Sequence, residues 1–132
     1  MVSDDAGDQD ASAEAFQILA LIVNGRLKRR LTTVVDATNL HAATRKQYSR
    51  LAARYGVPAI AIAFDLPLSA YHERNARRAG RIVGKLVVED QAGRMPEALL
   101  ELESEGYAQL IVLREGDDHV AVERRGVGPP NL

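Results

Sequence analysis

The sequence predicts an α/β domain built on a parallel sheet with helices on both faces, and three observations carry that expectation. Short, apolar, β-branched runs at 31–38, 59–64 and 109–113 alternate with segments of helical periodicity. The runs are continuously apolar, as strands covered on both faces are. The order helix, strand, helix, strand, helices, strand is the rhythm of parallel strands joined by crossover helices.

Residues 11–30 predict an amphipathic helix, with Phe16, Leu19, Ala20, Val23 and Leu27 on one stripe. Asp10 or Ser12 suits its N-cap, and Lys28, Arg29 and Arg30 suit the negative end of its dipole. LTTVVDAT (31–38) follows as the first strand. A helix over 42–55 places Tyr48, Leu51, Ala52 and Tyr55 on one side and stops at Gly56 and Pro58. The second strand, 59–64, ends at Asp65 and Pro67. Helices are expected at 69–78 and 85–95, separated by a turn from Gly80 to Gly84. Another helix starts with Pro96 in its first turn, where a missing N–H is harmless, and ends at Gly106. Strands at 109–113 and 119–123 complete the domain, taken as residues 1–125, with a frayed tail over 126–132.

Composition narrows the classes of function. The 132 residues are 46% hydrophobic and 27% charged with no Cys, so disulfide scaffolds, thiol nucleophiles and thiolate metal sites are excluded. No apolar run approaches the roughly 20 residues of a membrane span. The acidic first ten residues lack a signal-peptide pattern, so a cytoplasmic location and no membrane partner are expected. The net charge of −1 conceals a pattern: residues 1–25 carry −5, residues 26–94 carry +9 and residues 95–132 carry −5. A basic middle of this kind suits a polyanion, and nucleic acid is the candidate partner. A set of solvated helix faces is the plainer alternative.

In parallel sheets, ligands collect at the carboxyl ends of strands. Asp36, Thr38 and Asn39 stand after the first strand and Asp65 after the second, where carboxylates and hydroxyls can position magnesium or a phosphate. Helix capping and turn formation account equally well for Asp36 and Asn39. Arg74, Arg77, Arg78 and Arg81 form a second group. Arg74 and Arg78, four apart, share one helical face on which two guanidiniums can grip a polyphosphate. The three histidines have no metal-ligand spacing, so no metal site is predicted.

The segments VSDDAGDQDASAEAF (2–16), LTTVVDATNL (31–40), TRK (44–46), AIAFDLP (61–67), ERN (73–75) and EGY (105–107), in that order, resemble the kinase module of bacterial polynucleotide kinase-phosphatases and related small P-loop kinases, which are grouped with the AAA family ATPases. The likeness runs from Val2 to about Glu123. It implies a three-layer P-loop kinase-like fold and transfer of the γ-phosphate of ATP, with magnesium, to the 5′-hydroxyl of a nucleic acid. It also implies roles: Arg74, Arg78 and Arg81 as lid arginines on the transferring phosphate, Asp36 and Asn39 as the strand-end pair beside the phosphate site, and Arg45 as a basic position on the following helix.

The departures are as informative. No GxxxxGK[ST] loop occurs in the sequence, and with it the Lys, the magnesium-binding hydroxyl and the general base of such kinases are missing. Glu89 and Asp90 stand where relatives often carry basic residues. The expectation is therefore a kinase domain truncated at its N-terminus and inactive alone. Loss of a central strand would leave apolar strands without neighbours, which predicts closure of the sheet, self-association or a partner chain completing it. Two other readings remain: a non-catalytic module that binds nucleic acid or a protein partner, and a magnesium nuclease using Asp36, Asn39 and Asp65.

Overall fold

A computed structural model describes residues 9–78 and 84–117. It contains, in chain order, α1 (Gln9–Lys28), α2 (Ala42–Arg54), β1 (Ile60–Phe64), α3 (Leu68–Ala76), α4 (Lys85–Ser104) and β2 (Gln109–Leu113). The class is mixed α/β with a small parallel sheet, consistent with a P-loop kinase-like fold. β1 and β2 pair directly in parallel, from Ile60 opposite Gln109 to Phe64 opposite Leu113. Two flanking bonds lengthen the ladder: Ala108 N–H donates to Ala59 O and Asp65 N–H to Leu113 O, both at 2.9 Å.

The helix ends follow local chemistry. At the end of α1, Arg30 N–H donates to Leu27 O (2.9 Å) and Leu31 N–H to Arg26 O (3.1 Å), the Schellman pattern that satisfies the last carbonyls. Arg30 occupies the left-handed position at φ 60°, where glycine is usual. α2 closes in the same way, with Val57 N–H bonded to Ala52 O and Gly56 at φ 61°, as the glycine stop predicts. Between the two helices, Tyr55 Oη–H donates to Asn24 Oδ1 at 2.7 Å and Arg30 donates to Tyr55 O. The predicted stripe of α2 faces inward: Ala52 is buried and Tyr48, Leu51 and Tyr55 are half-buried. On α1 the stripe is covered at Val23 but not at Phe16.

Two expectations are corrected. Residues 31–38 form no strand. They join no ladder among the described residues, and Val34 is 84% exposed. β-branched residues favour the pleated conformation, but a strand exists only when a neighbour accepts its backbone bonds. The second correction concerns 85–104, expected as two helices meeting at Pro96 and observed as one, α4. Val88, Gln91, Ala92, Met95, Ala98 and Leu102 form a single covered stripe that passes beneath the exposed Pro96. Packing along that face outweighs the hydrogen bond that proline removes, a cost of about 3 kcal/mol. The strand expected at 119–123, the Gly80–Gly84 turn apart from Gly84, and the tail lie outside the described residues.

The apolar core is thin. Val23, Ala52, Ala63, Val88, Ala98 and Leu102 are its buried members among the described residues, and three of the six are alanines. α1 packs on α2 and α3 on α4, with β1 between the two pairs in chain order and β2 after α4. Because Val34 belongs to no ladder, Val34→Thr should change stability by no more than about 0.5 kcal/mol in urea unfolding. A loss of about 2 kcal/mol would show that 31–38 is a buried strand after all.

Candidate functional site

The carboxyl end of β1 is fixed by side chains of the elements that follow it. Tyr71 on α3 reaches back, its hydroxyl donating to Phe64 O and accepting from Leu66 N–H at 3.0 Å. This satisfies the backbone where the strand stops and seats the start of α3 against the strand end. Asp65 pairs with Arg114 across the two strand ends, Oδ2 to Nε 3.4 Å. The strand-end carboxylate considered as a magnesium ligand is thus engaged in tying β1 to β2.

From that anchor α3 carries the arginines. Tyr71, Arg74, Asn75 and Arg78 line one side of an open cleft of about 330 Å³, and Val88 and Gln91 of α4 line the other. The predicted pairing of Arg74 with Arg78 on one face is therefore observed, although α3 ends at Ala76 and Arg78 sits just beyond its C-cap, its N–H bonded to Asn75 O at 3.2 Å. Arg77 points its charge to Glu73 at 2.6 Å. Neither Arg74 nor Arg78 forms an ion pair with another described residue. Two like charges one turn apart repel, and an anion between them relieves that repulsion. Arg81 lies outside the described residues.

Arg45 has a different setting from Arg74 and Arg78. Its side chain is 6% exposed and lies between Glu101 of α4 and Glu105 at the C-cap of α4: Nη2 is 2.6 Å from Glu105 Oε1 and 2.7 Å from Glu101 Oε2, and Nε donates to Glu105 Oε2 at 2.9 Å. Nη1 donates to Asn39 O at 2.9 Å. The hydrogen bonds to Glu105 hold the guanidinium charged, against the opposing effect of burial, and those to Glu101 add to this. The same bonds hold the Glu105 carboxyl below its usual range, although burial opposes the shift. Arg45 thus joins α2 to α4 and fixes the loop that precedes α2.

That loop contains the other candidates. Asp36 and Thr38 are exposed, and Asn39 is half-buried in the left-handed region at φ 46°, a conformation that asparagine tolerates better than most side chains. Asn39 Oδ1 is buried without a hydrogen-bond partner. None of Asp36, Thr38, Asn39 and Arg45 lines the arginine cleft, so the two constellations are separate in the described structure. No group of three or more His, Asp or Glu gathers among the described residues.

Tyr71, Glu101, Glu105 and Gln91 were not singled out by the sequence reading. EGY includes Glu105, but its link to Arg45 spans 60 residues and leaves no local signature.

A family model described as AAA domain (AAA_33) matches residues 1–100 of the 132, and the chain belongs to this P-loop NTPase-like, kinase-type family. No match to a curated protein is found. The family uses nucleotide and magnesium in general. In this chain the described residues fit only part of that chemistry: the arginine cleft suits a phosphoryl-sized anion, whereas no glycine loop or carboxylate cluster is present to hold a phosphate chain and its metal. No helix among the described residues is long and apolar enough to cross a membrane.

Removing one partner from a buried ion pair costs roughly 3–5 kcal/mol, because the other charge is stranded. Arg45→Ala should therefore lower stability by about that amount, while Arg77→Ala, which breaks an exposed pair, should cost under about 1 kcal/mol. Acid should act through Glu105. Its folded pKa is depressed, so its contribution is complete above the unfolded glutamate value of about 4.3 and is lost as pH falls through the folded value. The melting temperature should fall below about pH 4.5 in the natural chain, and the Glu105→Gln variant should show a shallower fall.

Proposed function

We propose that this chain is the lid- and acceptor-bearing part of a polynucleotide 5′-hydroxyl kinase type of domain, with phosphate gripped by Arg74 and Arg78. The observation that carries the reading is the placement of both arginines in one cleft, Arg74 on and Arg78 just past a helix that Tyr71 anchors to the carboxyl end of β1. Phosphoryl transfer is mostly positioning and charge stabilisation, and the charge that develops lies on the equatorial oxygens of the transferring group. Forked guanidinium donors one helical turn apart match several such oxygens at once. Asn75 and Gln91 add neutral polar groups to the cleft walls, and Val88 supplies an apolar side. The cleft handles charge but supplies no base and no metal ligand. The 132-residue polypeptide alone is proposed to be inactive in ATP turnover.

One observation favours a second reading, a non-catalytic nucleic-acid-binding module. Lys46, Arg50 and Arg54 are all exposed and stand at i, i+4 and i+8 of α2, a basic row separate from the arginine cleft. Such a row can follow a phosphate backbone without any reaction taking place.

Fluorescence anisotropy with a labelled single-stranded oligonucleotide separates the two readings. Under the first, inorganic tripolyphosphate competes with the oligonucleotide, and the Arg74→Ala/Arg78→Ala variant loses about tenfold or more in affinity, since hydrogen bonds to charged groups are worth about 1.5–3 kcal/mol each. Under the second, that variant binds normally. Neutralising Lys46, Arg50 and Arg54 then lowers the slope of log affinity against log salt by about 2. Magnesium-dependent ATP turnover that Arg74→Ala abolishes would overturn the proposed inactivity of the isolated chain.

A further inference from the structure

α1 is apolar on two opposite sides. Leu19, Ala20, Val23 and Leu27 form its covered side, with Val23 buried. Ile18, Leu21 and Ile22 form the other and are 47%, 72% and 53% exposed. Helices that are apolar all round belong in an interior, and a bare patch of this kind marks an interaction surface. The patch lies on a single strip of the helix: Glu14, Ile18, Leu21, Ile22, Gly25 and Arg29 recur at spacings of three and four residues.

The charges at its ends identify the occupant. Glu14 lies one turn before Ile18 and Arg29 one turn after Gly25, so the strip is acidic at one end, basic at the other and apolar between. We propose that this face of α1 binds the same face of a second copy of the chain, antiparallel, about a two-fold axis between Leu21 and Ile22. That axis sets Leu21 against Ile22 of the partner subunit, Ile18 against Gly25 of the partner subunit, and Glu14 against Arg29 of the partner subunit. An isologous contact must be self-complementary in this way, and each charge pair occurs twice. Glu14 and Arg29 lie equally far from the axis, about 11 Å along the helix on either side. Gly25 carries no Cβ, and Arg29 folds back over it, Nη1 donating to Gly25 O at 3.0 Å, so the guanidinium lies along the strip within reach of a carboxylate on the facing helix. Antiparallel packing also opposes the two helix dipoles favourably. A single helix pair is smaller than a standard interface, so dissociation in the range of roughly 10–100 μM is expected.

Sedimentation equilibrium of the full 132-residue chain over a concentration series tests this. The natural chain should pass from monomer to dimer. Glu14→Arg and Arg29→Glu should each raise the dissociation constant about fivefold or more, and the double variant carrying both should return to within about twofold of the natural value. Both positions are exposed, and circular dichroism checks that the fold survives. Cysteine cross-linking fixes the direction, because the natural sequence has no cysteine and so no background. Leu21→Cys should oxidise to a disulfide-linked dimer. Ile18→Cys should not, because its counterpart lies about 10 Å further along the antiparallel helix. A chain monomeric throughout the series overturns the proposal. So does a dimer that the charge exchange fails to restore, or one in which Ile18→Cys links as readily as Leu21→Cys.

Discussion

The structure depends on one buried cation. Arg45 stands between Glu101 and Glu105 and donates to Asn39 O, so that one side chain joins α2, α4 and the loop before α2. With six buried apolar residues, three of them alanine, the core supplies little else to connect the helices around the sheet. A buried ion cluster is a costly fastening, because desolvation opposes the Coulomb gain. Its geometry is specific, however: a guanidinium has donors in fixed directions, and only one arrangement of the two carboxylates and the carbonyl satisfies them. The left-handed turn at Asn39 is held in place by the same contact.

This gives the arginines distinct tasks. Arg45 is withdrawn from solvent and neutralised, Arg30 and Arg26 fasten the end of α1, and Arg77 and Arg114 pair with nearby carboxylates. Arg74 and Arg78 are exposed and face an open cleft. In a sequence whose middle carries a large positive charge, the functional question is which cations are already neutralised by the fold. The structure answers it for Arg45, Arg77, Arg94 and Arg114 through their carboxylate partners, which net charge alone cannot do.

What was legible in the sequence was whatever is encoded locally. Gly56 ends α2, the IAIAF and QLIVL runs form strands, and the four-residue spacing of Arg74 and Arg78 brings them to one cleft. What was not legible depends on partners far along the chain. The β-branched run at 31–38 has the composition of a strand but no ladder to join, and composition does not report a neighbour. Arg45 resembled the other basic residues until Glu101 and Glu105 were placed beside it, and Tyr71 gave no sign that its hydroxyl would bridge Phe64 and Leu66. The helix break expected at Pro96 failed for a related reason: the covered stripe of α4 continues on both sides, and tertiary packing overrode a local propensity.

The central claim is that Arg74 and Arg78 receive the phosphate anion while Arg45 is structural. Arginine Nε–H resonances observed by proton–nitrogen correlation during titration with inorganic tripolyphosphate test it most directly. The account predicts that the Arg74 and Arg78 signals shift together, with the backbone amides of Val88 and Gln91, while the Arg45 signal stays in place and slow to exchange. A shift at Arg45 or along Asp36–Asn39, with Arg74 and Arg78 unmoved, would contradict it.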